Sequence, residues 1–116
     1  MNRRAVGASY EALAIRYLQE NGLWILEHNF RTRFSEIDVI AREEDTTVFV
    51  EVKYRRDTVK GHPLEAVGPA KQRNICRAAD FYRMKHGIGE FEPMRFDVIA
   101  ICGSEITWLK NAFTYC

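Results

Sequence analysis

Apolar residues return along this chain in two rhythms, and the changes between them mark its elements. From Arg4 to Asn21, the positions Tyr10, Leu13, Ala14, Tyr17 and Leu18 recur at steps of three and four, which predicts a helix with one buried stripe. Gly22 is placed to stop it. The run Leu23-Trp24-Ile25-Leu26 predicts a strand, and the polar, basic stretch from Asn29 to Ser35 a turn or frayed strand end. Glu36 to Ala41 alternates as a second strand. Arg42 to Thr46 is a charged turn. Thr47 to Lys53, dense in β-branched residues, is the strongest strand signal of all. A loop from Tyr54 to Gly68 follows, with a helical turn near Leu64-Glu65-Ala66-Val67. Pro69 opens a second helix ending near Gly87, whose buried stripe is Ile75, Ala78, Ala79 and Tyr82. Arg95 to Cys102 and Glu105 to Leu109, either side of a turn at Gly103-Ser104, are two more strands. This order predicts an α/β fold, a sheet with helices packed against it.

Composition narrows the picture. A chain of 116 residues suits one domain spanning 1–116, and 47% hydrophobic with 28% charged residues is ordinary globular usage. Net charge is +1, from 17 basic and 16 acidic residues, so a uniformly basic nucleic-acid coat is excluded. A local basic face beside an acidic pocket is not, and Arg3-Arg4, Arg31, Arg33, Lys53, Arg55-Arg56, Lys60, Lys71, Arg73 and Arg77 are clustered enough to make one. Their competing role is plain solvation. The three cysteines, Cys76, Cys102 and Cys116, form no CxxC, so neither a disulfide framework nor a cysteine zinc site is expected. Cys76 and Cys102 fall in apolar stretches and are expected to pack as small hydrophobes. The start, Met1-Asn2-Arg3-Arg4, leads into a charged helix pattern and not a secretory leader, and no apolar run approaches the ~20 residues of a membrane span. A cytoplasmic protein without membrane contact is expected.

Candidate chemistry lies on the strands. Alternation puts Phe49, Glu51 and Lys53 on one face of their strand and Val48, Val50 and Val52 on the other. In the preceding strand Glu36, Asp38 and Ile40 share a face, opposite Ile37, Val39 and Ala41. The two strands are joined by a short turn and are expected to pair, which sets Asp38 nearly opposite Glu51. Two carboxylates so placed repel, and a divalent cation resolves the conflict. Hard oxygen donors select Mg²⁺ or Mn²⁺ over zinc. The bland alternative is an ion-paired cluster with Lys53 neutralising one acid.

Further candidates flank these. Glu11 lies beside the apolar stripe of the first helix and needs a partner, either a metal or an arginine. Lys71 sits near the start of the second helix on its buried side, where it suits a phosphate contact or a packed surface lysine equally. Asp97 reads as a structural buried acid. His28, His62 and His86 share no spacing and read as surface or loop residues. Ser9, Ser35 and Ser104 show no convincing Ser/His/Asp constellation, so a serine hydrolase is not expected, and the sequence carries no GxxxxGK(S/T) or GxGxxG phosphate loop.

Glu36-Ile37-Asp38 followed by Phe49-Val50-Glu51-Val52-Lys53 resembles the PD-(D/E)XK signature of restriction-endonuclease-like nucleases, with Asp38 as the motif aspartate and Glu51-Val52-Lys53 as its (D/E)XK. The whole chain is similar to the YraN family of uncharacterised bacterial proteins. The matching stretches include Gly7 with Tyr10-Glu11, Asn29-Phe30-Arg31, Glu65-Ala66-Val67, Lys71, Arg95-Phe96-Asp97-Val98 and Asn111-Ala112-Phe113. Ser35 departs from the glycine usual there. The resemblance implies a restriction-endonuclease-like core with a mixed central sheet, as in archaeal Holliday-junction resolvases, which act as homodimers on branched DNA and carry a helical glutamate like Glu11.

On that resemblance the expectation is a metal-dependent DNA endonuclease. Asp38 and Glu51, with the Val52 carbonyl and Glu11, are expected to bind Mg²⁺ or Mn²⁺. Lys53 is expected to position water or neutralise charge, and Lys71, Arg55 and Arg56 to hold phosphates. The rival is a nucleic-acid-binding module of nuclease fold without useful catalysis. A third reading is a structural acid–lysine cluster with no metal affinity. Trp108 and Phe113 are expected to offer an apolar patch for a homodimer.

Overall fold

The first helix, α1 (Arg3–Glu20), ends where the sequence predicts, because Gly22 adopts a φ of 90° that most side chains resist. Leu23 N donates to Leu18 O and Gly22 N to Gln19 O, closing the helix end. In the computed structural model, which describes residues 3–56 and 67–116 with side chains from Ser9 onward, α1 is followed by β1 (Trp24–Arg31), β2 (Glu36–Glu43) and β3 (Thr46–Arg55). Then come α2 (Pro69–Lys85), β4 (Met94–Cys102) and β5 (Glu105–Phe113). The predicted helical turn near Leu64, His62 and Lys60 lie outside the described residues, as do the Arg3 and Arg4 side chains.

The strands form one sheet in the order β1-β2-β3-β4-β5. Neighbours run antiparallel except β3 and β4, which are parallel. A parallel pair needs a long crossover, and α2 lies within it. The result is a mixed sheet between two helices, consistent with the restriction-endonuclease-like core expected.

Each face of the sheet has its own core. Leu18 and Ala14 of α1 pack on Val39, Ala41, Val48, Val50, Ile99 and Ile101. Ile75, Ala78, Ala79 and Tyr82 of α2 pack on Phe30, Ile37, Ile40, Phe49 and Phe96. Burial of each large side chain contributes about 1.5–3 kcal/mol. Val48 and Val50 thus face α1 and Phe49 faces α2, as alternation along β3 predicts. In α1, however, Leu13 is exposed. Tyr10, Tyr17 and Ile15 pack at the edge of the buried pair instead.

Several elements run longer than the sequence suggests. β1 continues through Glu27, His28 and Asn29 to Arg31, since an edge strand can turn polar side chains to water without losing its pairing with β2. The predicted turn from Arg42 shrinks to Glu44-Asp45, with Glu44 at a φ of 54°. β5 reaches Phe113. There Phe113 stacks on Phe96, while Trp108 packs on the α1 side and donates to Asp97. The two aromatics therefore serve opposite cores and do not make the shared apolar patch expected of them. Asp97 is structural, as predicted. Fully buried, it accepts from Arg95, from Trp108 Nε1 at 2.9 Å and from the Asn111 amide at 2.9 Å.

Candidate functional site

The site forms where the regular ladder around β2 breaks. β2 and β3 pair from Glu43↔Thr46 to Val39↔Val50. One step further the same register brings Asp38 level with Glu51. There a side chain takes over the ladder's work, because the Val52 amide donates to Asp38 Oδ2 at 2.8 Å. On the other side of β2, the pairs His28↔Val39 and Phe30↔Ile37 straddle Asn29, which is thus level with Asp38. Asn29 adopts a φ of 54°. Ile37 joins Ile40 in the α2-side core, whereas strict alternation grouped it with Val39 and Ala41.

Charge accumulates at this break. Asp38 is partly buried, and its carboxyl is pushed up to about 8 from 3.8, first by burial and then by the charge of Glu51. Glu11 and Glu36 push in the same direction, while the Val52 hydrogen bond pulls the other way. Glu11, half-buried on α1, is also raised, by burial and then by Glu36, with a smaller push from Glu51. The fold therefore gathers Glu11, Asp38 and Glu51 from three elements into one electrostatic neighbourhood. Glu51 is only 6% exposed and pairs with Lys53 Nζ at 3.1 Å. Lys53, on the same face of β3 two residues on, lets Glu51 remain buried.

This donor set suits a hard divalent cation in its chemistry, since it offers oxygen alone and sets carboxylates close enough to raise one another. It is not a finished coordination shell. Among the described residues no three His, Cys, Asp or Glu side chains already converge on one point. Glu11 and Asn29 also line a cavity of about 260 Å³ with Ala12, Ile15 and His28.

The predicted phosphate-holding residues are more dispersed. Lys71, in the first turn of α2, donates to Ser35 Oγ at 3.2 Å, which places it beside Glu36 and at the border of the acidic group. Arg55 ends β3 and Arg56 follows it, half-buried and exposed respectively. Next to Lys53, Tyr54 stacks on Tyr10 of α1 with ring centroids 3.7 Å apart, tying the helix to β3 beside Glu11.

Sequence reasoning misses Asn29 and His28 as members of this neighbourhood, whereas strand alternation already puts Glu36 on the face of Asp38. Asn29 was placed in a turn and His28 dismissed as surface. Their one signal was a polar Glu-His-Asn run within a stretch otherwise able to be a strand, directly before Phe30.

A model of the uncharacterised protein family UPF0102 matches residues 10–101 of this chain. A UPF0102 protein of Vibrio vulnificus is 47% identical over 116 residues, covering 97% of this chain and 95% of its own. A UPF0102 protein of Lachnoclostridium phytofermentans is 45% identical, with 97% and 96% covered. One from Stutzerimonas stutzeri is 42% identical, with 92% of each chain covered.

Proposed function

The chain belongs to the UPF0102 family, and for this member we propose a metal-dependent endonuclease activity on DNA, centred on Asp38, Glu51 and Lys53 with Glu11 as helper. The observation that carries the reading is the Asp38 carboxyl. It is held in place by the Val52 amide, level with a buried glutamate, and raised to about 8 by burial and like charge. A fold selected for stability alone has no use for that conflict, whereas a cation-binding site does.

Asp38 and Glu51 are the residues that would hold Mg²⁺ or Mn²⁺, with the Val52 carbonyl and Glu11 as further oxygen donors. When bound, such a cation supplies Lewis acidity for phosphodiester hydrolysis. The chain's own residues do the rest. The Val52 amide fixes the orientation of Asp38. Lys53 pairs with Glu51 at 3.1 Å and, with its side chain 29% exposed, presents positive charge to an incoming phosphate. Lys71, Arg55 and Arg56 supply phosphate contacts around it.

A second reading has support of its own. Lys53 already pairs with Glu51, and among the described residues no three acids converge, which also suits a nucleic-acid-binding module without turnover. The test is cleavage of linear, single-stranded, flapped and four-way-junction DNA by the full chain and by Asp38→Ala, with Mn²⁺, Mg²⁺ or EDTA. Cleavage that needs metal and is lost in the variant supports the nuclease. Salt-sensitive binding of the same DNAs without cleavage favours the module. Neither binding nor cleavage sinks both.

A further inference from the structure

We infer that Asn29 is a positioning residue, which clamps the α1 glutamate Glu11 beside the Asp38–Glu51 pair and screens it from Glu36. The inference rests on the metal-site reading for the cation that the cluster would hold, but the clamp itself is a property of the chain alone.

Backbone geometry comes first. Asn29 sits inside β1 at a φ of 54°, a conformation that asparagine, aspartate and glycine tolerate and bulkier residues resist. Because the pairs His28↔Val39 and Phe30↔Ile37 flank it, this turned residue stands level with Asp38. The irregular step carries its side chain to Glu11 across the gap between β1 and α1.

The carboxamide then makes contacts that neither a strand residue nor a surface residue needs. Oriented to satisfy its neighbours, its nitrogen donates to Glu11 Oε1 at 2.7 Å, with Oε2 at 3.1 Å, and to Glu36 Oε1 at 2.8 Å. The opposite orientation would point a carbonyl oxygen at two carboxylates, which is repulsive. His28 Nδ1 lies 3.2 Å from the amide oxygen and donates to it in the Nδ1-protonated tautomer. One amide group thus spends its two hydrogens on two acids that otherwise repel each other. Both raise the carboxyl of Asp38, so holding them also shapes the field at the centre of the site. Groups that orient ligands in this way are worth about 10- to 100-fold in metal affinity.

The test uses the full chain and two variants that both tolerate the turned backbone, Asn29→Gly and Asn29→Asp. Without metal, the side-chain carboxyl carbon of Glu11 is followed by NMR, its resonance assigned with Glu11→Gln. Asn29→Gly removes the donor without adding charge and should shift that resonance, whereas a purely conformational role for Asn29 predicts no shift in it; Asn29→Asp, which sets a carboxylate against Glu11, should shift it further. Calorimetric titration with Mg²⁺ should show Asn29→Gly weakened about 10-fold or more, with the circular dichroism spectrum unchanged. An unmoved Glu11 resonance, or unchanged Mg²⁺ affinity, overturns the inference. If the wild-type chain binds no Mg²⁺, the metal reading fails by itself, and the Glu11 resonance still decides whether the clamp exists.

Discussion

Replacing Asp38 with asparagine should stabilise the metal-free protein, and by more as pH rises. The carboxyl has an ordinary value of 3.8 and is pushed to about 8 in the fold. The folded chain therefore binds a proton that the unfolded chain has already lost. Between those two values, raising pH favours the unfolded state. The cost is absent below pH 3.8, grows through the interval and is complete above about 8. Each pH unit is worth at most about 1.4 kcal/mol, so the ceiling between pH 5 and pH 8 is about 4 kcal/mol. Water reaching the partly exposed carboxyl, and relaxation of Glu11 and Glu51, reduce that to on the order of 1–2 kcal/mol. Asparagine keeps an oxygen for the Val52 amide, so the hydrogen bond is retained in the comparison. Urea unfolding of wild type and Asp38→Asn in EDTA, at steps from pH 5 to pH 8.5, measures the gap directly. A gap that stays flat or narrows with pH refutes the reasoning. Added Mg²⁺ should close it by stabilising the wild type alone.

Other perturbations separate the site from the scaffold. Lys53→Met leaves the buried Glu51 without its 3.1 Å partner and should cost about 2 kcal/mol in urea unfolding, with loss of any DNA cleavage. Wild-type stability in that variant would mean that the pair carries no load. Asp97→Ala strips the acceptor from Arg95, Trp108 and the Asn111 amide, and should cost about 3–5 kcal/mol with a shift in Trp108 fluorescence. Phe49→Ala empties the contact with Phe96 and Tyr82 and should cost about 3–5 kcal/mol, read by thermal unfolding. A loss under 1 kcal/mol would show that core to be collapsible.

The parts of the fold visible in the sequence are those governed by burial. The β-branched run of β3, the Ile75-to-Tyr82 stripe and the Pro69 start of α2 declare themselves because water is excluded from them. Asp38, Glu51 and Lys53 are visible for the converse reason, being charges where apolar residues belong. Edges are harder. β1 hides its second half behind Glu27, His28 and Asn29, since a strand paired on one side only can carry polar residues. Leu13 misleads because helical spacing marks a stripe but not its width. The reach of Asn29 to Glu11 starts from one left-handed residue, and the grouping of Ile37 with Ile40 departs from a period-two rhythm that gives no notice of a skipped beat. Trp108 and Phe113 were misread together because an aromatic near a chain end looks exposed until its strand register is known.

The single parallel pairing in the sheet also sets the order in which the molecule can assemble. β2 and β3 meet across the turn at Glu44-Asp45, a closure that costs little chain entropy. β3 and β4 meet only when partners such as Thr47 and Met94, far apart in sequence, come together across the connection that holds α2, a slower event by the logic of contact order. Asp38 and Glu51 both belong to the quick hairpin. On that ordering their mutual repulsion is met before β4 covers the flank of Glu51, which predicts that the hairpin's acids slow refolding. Asp38→Asn should accelerate refolding and leave the unfolding rate little changed, and a refolding rate unchanged from wild type would assign the hairpin to a later stage.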